Sequence, residues 1–135
     1  AYGAMIRNAG VGDSVRALAG DNAVNYVLLA WVLAAVIRVA QGSATVAMIT
    51  SSSIMLSIAG PAGFGVHPFY IFLAVGYGAT ILSWMNDSGF WVISRLGGLT
   101  EGETLRSWTV LLTVISIVGL IQALIAAALW PNLWF

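Results

Sequence analysis

Polar residues divide the chain into apolar stretches at 23–40, 44–59, 69–85 and 107–130, with a shorter apolar piece at 90–96. A polar leading segment, 1–26, carries Arg7, Asp13, Arg16 and Asp21, and "QGSAT" (Gln41 to Thr45) separates the first stretch from the second. The connection "GPAGFGVHP" at 60–68 is rich in Gly and Pro, which disfavour continued helix. The tetrad Asn86-Asp87-Ser88-Gly89 parts the third stretch from the piece at 90–96, and a polar loop at 95–106 precedes the fourth.

A helix rises about 1.5 Å per residue and needs about 20 residues to cross about 30 Å of hydrocarbon. Residues 107–130 meet this requirement, with Trp108 and Trp130 placed where an aromatic belt would anchor the two ends. Residues 69–85 fall short alone and reach a full span only if helix resumes at Phe90, which describes a discontinuous transmembrane helix over 69–96. The first two stretches are short as well. Arg38 sits near the inner end of the first, where a charge costs about 2.5–3.5 kcal/mol on insertion scales. Together they read as a re-entrant helical hairpin over 27–59 that turns at Gly42-Ser43 and leaves on the side it entered. Non-helical backbone at that depth is tolerated only against protein or water, so the tip is expected to face a cavity. The expected fold is an all-α membrane protein in which hairpin, broken helix and terminal transmembrane helix belong to a single domain.

Composition agrees: 60% apolar residues, 7% charged residues and a mean hydropathy of +0.95 stand far from the soluble balance of about 45–50% apolar and about 25% charged. Net charge is zero, with five Arg, five acids and no Lys, which excludes a nucleic-acid surface or a polybasic lipid-binding tail. Cysteine is absent, removing disulfides and thiolate sites. The opening "AYGAMIRNAGVGDS" lacks the n-region and h-region of a signal peptide and reads as part of something longer. Arginines flanking the stretches tie at two against two, so charge assigns no orientation.

Interrupted helices and hairpin tips expose backbone N–H groups suited to an anion and carbonyls suited to a cation, the pattern of a secondary transporter. Gly42 and Gly89 let the backbone leave helical geometry, and Ser43, Thr45, Asn86 and Ser88 offer small hydrogen-bonding groups for substrate. Asp87, a carboxylate between apolar segments, is the candidate for proton coupling, with Asn86 and Ser88 placed to orient it; the plainer reading makes it only the N-cap of the helix from Phe90. Arg38 has two readings, a partner for the substrate carboxylate or a side chain snorkelling to the headgroups. Ser51, Ser52 and Ser53 read as small residues for close packing, His67 as an interfacial loop residue, and Glu101 and Glu103 as solvated loop charges before a helix starting at Thr104 or Ser107.

The blocks "IRVAQGSATVAMIT" (37–50) and "SWMNDSGFWVISRLGGLTEGETLRSWTV" (83–110), with "NAGVGDSV" upstream, resemble the gluconate permease family of proton-coupled sugar-acid symporters in the ion transporter superfamily. The resemblance implies that the chain is the C-terminal third or so of an inverted-repeat transporter, with the other repeat and half of the site elsewhere. It also implies a bacterial inner membrane location, with the 95–106 loop inside the cell. The hairpin tip has Ala44 where the sodium-dicarboxylate branch has Asn, which agrees with protons rather than sodium.

The implied function is proton-coupled uptake of gluconate or a related small hydroxy-acid anion. The alternatives are a non-transporting oligomeric membrane scaffold and a membrane-embedded enzyme. With one His, no Cys and no nucleophile or metal-ligand constellation, no enzyme, cofactor or metal is expected. The expected partners are a sugar-acid anion, a proton and the lipid bilayer, with room for a homo-oligomer of the full-length protein.

Overall fold

The computed structural model describes residues 25–59 and 63–132. The charges of the leading segment, the "NAGVGDSV" block and Gly60-Pro61 lie outside them. Every regular element among the described residues is helical: α1 (Tyr26–Gln41), α2 (Ala44–Ala59), α3 (Pro68–Gly78), α4 (Ser88–Gly97), α5 (Glu101–Thr104), a π-helical turn (Leu105–Thr109) and α6 (Val110–Leu129).

Each boundary has a local cause. Asn25 caps α1, its side chain accepting from the N–H groups of Val27 and Leu28. Gly42 ends α1 in the left-handed region at φ 76° and sends its N–H to Arg38 O. Ser43 then accepts from Val46 N at 3.3 Å and starts α2, so the two helices are joined by two residues. His67 caps α3 through Nδ1, which accepts from Phe69 N at 3.2 Å, with Pro68 in the first turn, where its missing N–H costs nothing.

The interruption after α3 is longer than the tetrad suggested. Helix stops at Gly78 rather than Met85, and residues 79–87 run without helix. The Thr80 hydroxyl donates back to Tyr77 O at 2.8 Å, and Leu82 takes φ 45°, a conformation costly for a side chain with a Cβ. Asp87 then caps α4, so Ser88 and Gly89 already belong to that helix.

The last helix, conversely, begins before the expected 104–107. Thr100 and Glu103 form a reciprocal capping box, so Glu103 is a cap rather than a loose loop charge. From Glu101 to Leu129 the helix runs 29 residues, long and apolar enough to cross a membrane.

Small residues set the packing. α1 and α2 pack side by side, and α3 lies between α1 and α6. The buried core carries Ala30, Ala34, Ala47, Ala74, Ala79 and Ala123, which let backbones approach closely. Gly119 of α6 lies against the Tyr77 ring, and Gly78 lies against α1, where an added Cβ would meet that of Ala34 at 2.9 Å. Ser116, fully buried, donates to Tyr77 O at 2.6 Å and accepts from Trp31 Nε1 at 3.0 Å, tying three helices. Large apolar side chains such as Val36, Ile49, Leu56, Phe72, Val114 and Ile121 point outward instead, the reverse of a soluble protein and fitting for lipid or neighbouring helices.

Candidate functional site

The α1–α2 turn and the 79–87 break meet at one place. Gly42 is packed so closely on Asn86 that a Cβ there would overlap the Asn86 backbone. The Asn86 amide donates to Val39 O at 2.9 Å, and Trp84 Nε1 reaches the same carbonyl at 3.4 Å. Both residues thereby satisfy a carbonyl in the last turn of α1, where no helical N–H remains to do so.

Arg38, one turn before Gly42, is only 4% exposed. One guanidinium nitrogen donates to Gly42 O, and Nη2 donates to Asp87 Oδ2 at 2.5 Å. Its Nε has no partner among the described residues. The snorkelling reading is therefore replaced: Arg38 turns inward to join the α1–α2 turn to the break.

Three donors converge on Asp87. Gly89 N donates to Oδ1 at 3.0 Å, while Oδ2 accepts from Arg38 and from the Ser83 hydroxyl. Capping and ion pairing therefore coexist in one side chain. Asn86 and Ser88, expected to orient this carboxylate, do not: the amide goes to Val39, and Ser88 is exposed. Ser83 takes that role. Behind it, Trp108 Nε1 donates to Ser83 Oγ at 3.1 Å and the Thr109 hydroxyl donates to Ser83 O. Trp108, expected as an interfacial anchor, turns its N–H inward.

Of the sequence-derived residues, Arg38, Gly42, Asn86, Asp87 and Gly89 are thus joined by direct contact. Ser43 lies beside them as the α2 cap, and Thr45 is exposed on the first turn of α2. Ser51 is fully buried and satisfied by Ala47 O at 2.6 Å, away from this cluster. Sequence reasoning missed Ser83, Trp108 and Thr109. Ser83, a hydroxyl inside the apolar run Ile81 to Met85, was a signal; Trp108 and Thr109, beside Arg106 and Ser107 at the polar start of an apolar stretch, gave none. Among the described residues no three His, Asp or Glu side chains gather as a metal site.

The arrangement is a buried guanidinium with spare donor capacity, held beside a carboxylate, at the contact of two helix interruptions. Such a group can bind an anion in place of the carboxylate.

A family model described as GntP family permease matches residues 1–129. The chain is 41% identical over 90% of its length to a gluconate permease of Pseudomonas aeruginosa, of which it covers 27%. It is 39% identical over 93% of its length to a high-affinity gluconate transporter of Escherichia coli, covering 28% of that protein. A Gnt-II system L-idonate transporter of Escherichia coli is 40% identical over 92% of the chain, which covers 28% of it. The chain thus spans about a quarter of the length of these relatives. No solved structure matches it.

Proposed function

This chain belongs to the GntP permease family, and we propose that, within a longer membrane protein, it supplies part of the site for proton-coupled uptake of gluconate or a related small hydroxy-acid anion. The observation that carries this reading is the Arg38–Asp87 pair, 2.5 Å long, where the hairpin turn meets the break. The names of the relatives support a sugar acid as the substrate.

The ionised Asp87 carboxylate holds Arg38. A proton on Asp87 removes its charge and weakens the pair, which frees the fork of guanidinium donors to grip a carboxylate. Proton and anion then favour the same state of the carrier, and that mutual preference is the linkage a symporter requires. Ser43, Thr45, Asn86 and Ser88 stand at the turn and break to meet the sugar hydroxyls, with Gly42 and Gly89 keeping the backbones close. In this reading 27–59 is the re-entrant hairpin, 69–96 the broken helix and 107–130 the final span of an inverted-repeat transporter in the bacterial cytoplasmic membrane. The rest of the longer protein supplies the other half of the site.

The test uses the full-length permease reconstituted in vesicles. An inward proton gradient should drive gluconate accumulation, and collapsing the gradient should end it. Accumulation indifferent to the gradient would reject proton coupling, and the absence of sugar-acid uptake would favour the scaffold reading.

A further inference from the structure

We propose that Ser83, oriented by Trp108 and Thr109 on the π turn of the last helix, controls which partner Asp87 releases when it takes a proton, making that helix a working part of the site. This rests on the coupling role of Asp87 proposed above.

Ser83 is fully buried. An indole N–H can only donate, so the Trp108 contact at 3.1 Å makes the Ser83 oxygen an acceptor and leaves its single hydrogen for Asp87 Oδ2. Thr109 donates to Ser83 O and fixes the backbone of the same residue. The preceding residue, Leu82, is held at φ 45°, a conformation that persists only where its surroundings impose it. Two consecutive residues of the last helix thus grip one serine, and they lie at the end of its π-helical turn, Leu105–Thr109. Such a turn re-aims side chains relative to a regular helix. Anchoring at the bilayer surface does not account for an indole N–H turned to a buried hydroxyl.

The chemistry of the two donors on Oδ2 differs. Arg38 can only donate, whereas a serine hydroxyl both donates and accepts. When Oδ2 receives a proton, Ser83 can turn its hydrogen away and accept that proton through its second lone pair; Arg38 cannot. Ser83 therefore stays and Arg38 is the group released, which directs the guanidinium to the incoming anion. Among the described residues Arg38 is the charged group that contacts Asp87. Neither α2 nor α3 carries a charge, while Arg95 of α4, Glu101 and Glu103 of α5 and Arg106 of the π turn are all exposed.

The experiment measures the pH profile of gluconate uptake by the full-length permease in vesicles, normalised to inserted protein. Loss of the Ser83 donor removes a hydrogen bond from the charged carboxylate, so Ser83→Ala should move the profile to higher pH by about one unit. Trp108→Phe keeps the ring and should move it the same way by less. In the Ser83→Ala background Trp108→Phe should add nothing, because it acts through the missing hydroxyl. A lowered maximal rate with an unmoved profile in both single variants, or additive shifts in the double variant, would overturn the proposal. Asp87→Asn separates the two levels. If it abolishes pH dependence while Ser83→Ala leaves the profile in place, only the Ser83 inference fails; if it retains normal pH dependence, the coupling reading beneath has failed.

Discussion

Gly42→Ala tests the contact between turn and break, and two other glycines provide its controls. At Gly42 the backbone is left-handed, φ 76°, and a Cβ would approach the Asn86 carbonyl carbon to 2.6 Å and its Cγ to 2.8 Å. The conformation costs a side chain about 1–2 kcal/mol, and overpacking adds about 1–3 kcal/mol, giving a loss of about 2–5 kcal/mol. Gly98 has φ 63° but no described residue close to where its Cβ would stand, so Gly98→Ala should show only the conformational part, about 1–2 kcal/mol. Gly76, inside α3 with no described residue within reach of an added Cβ, should gain about 0.5–1 kcal/mol on change to Ala. Thermal unfolding of the purified full-length permease should rank the variants Gly76→Ala, Gly98→Ala, Gly42→Ala from most to least stable. Only the last should also raise the transport KM, because only it pushes the break away from the turn. A Gly42→Ala protein as stable as Gly98→Ala, with wild-type KM, would refute the packing argument.

Three further outcomes follow from the same geometry. Arg38→Lys keeps the charge but cannot hold Gly42 O and Asp87 together with a fork, so KM for gluconate should rise about tenfold or more, a hydrogen bond to a charged group being worth about 1.5–3 kcal/mol; unchanged KM in inserted protein would make Arg38 purely structural. Thr45, exposed and not a cap, is the cleaner probe of the proposed hydroxyl recognition at the α1–α2 turn, and Thr45→Val should raise KM without lowering stability, whereas Ser43→Ala also removes the α2 cap at a cost of about 0.5–2 kcal/mol. Cysteines at the exposed positions Leu28 and His67 should react from the same side of the membrane if the chain turns back between α1 and α2, and from opposite sides if the two stretches make one continuous crossing.

Helix positions were largely legible because polar interruptions in an apolar chain leave few alternatives. "QGSAT" marked the α1–α2 connection since Gly42 supplies the left-handed residue that ends α1. Asp87 read as a cap since its side chain can bond the N–H two residues on. Thr100 and Glu103 carry a capping-box spacing that fixes the start of the last helix, several residues before the apolar run that marks the helix by hydropathy. The early end of α3 was not legible. Ala79 to Met85 is as apolar as the helix before it, and the break is held by tertiary contacts: the Gly78 approach to α1, the Thr109 bond to Ser83 O and the Trp84 and Asn86 bonds to Val39 O. The Arg38–Asp87 pair spans 49 residues, and no local pattern links partners so far apart. Only their shared expense in an apolar setting marked each of them.

The most direct measurement compares accumulation with exchange in Asp87→Asn. Asparagine keeps the size and the Oδ1 acceptor that caps α4, but it cannot carry a proton. In vesicles holding the full-length variant, labelled gluconate should still exchange for unlabelled gluconate across the membrane, while an inward proton gradient should drive no net accumulation. Accumulation against the substrate gradient with the wild-type pH dependence would contradict the account and leave Asp87 a helix cap bound to Arg38.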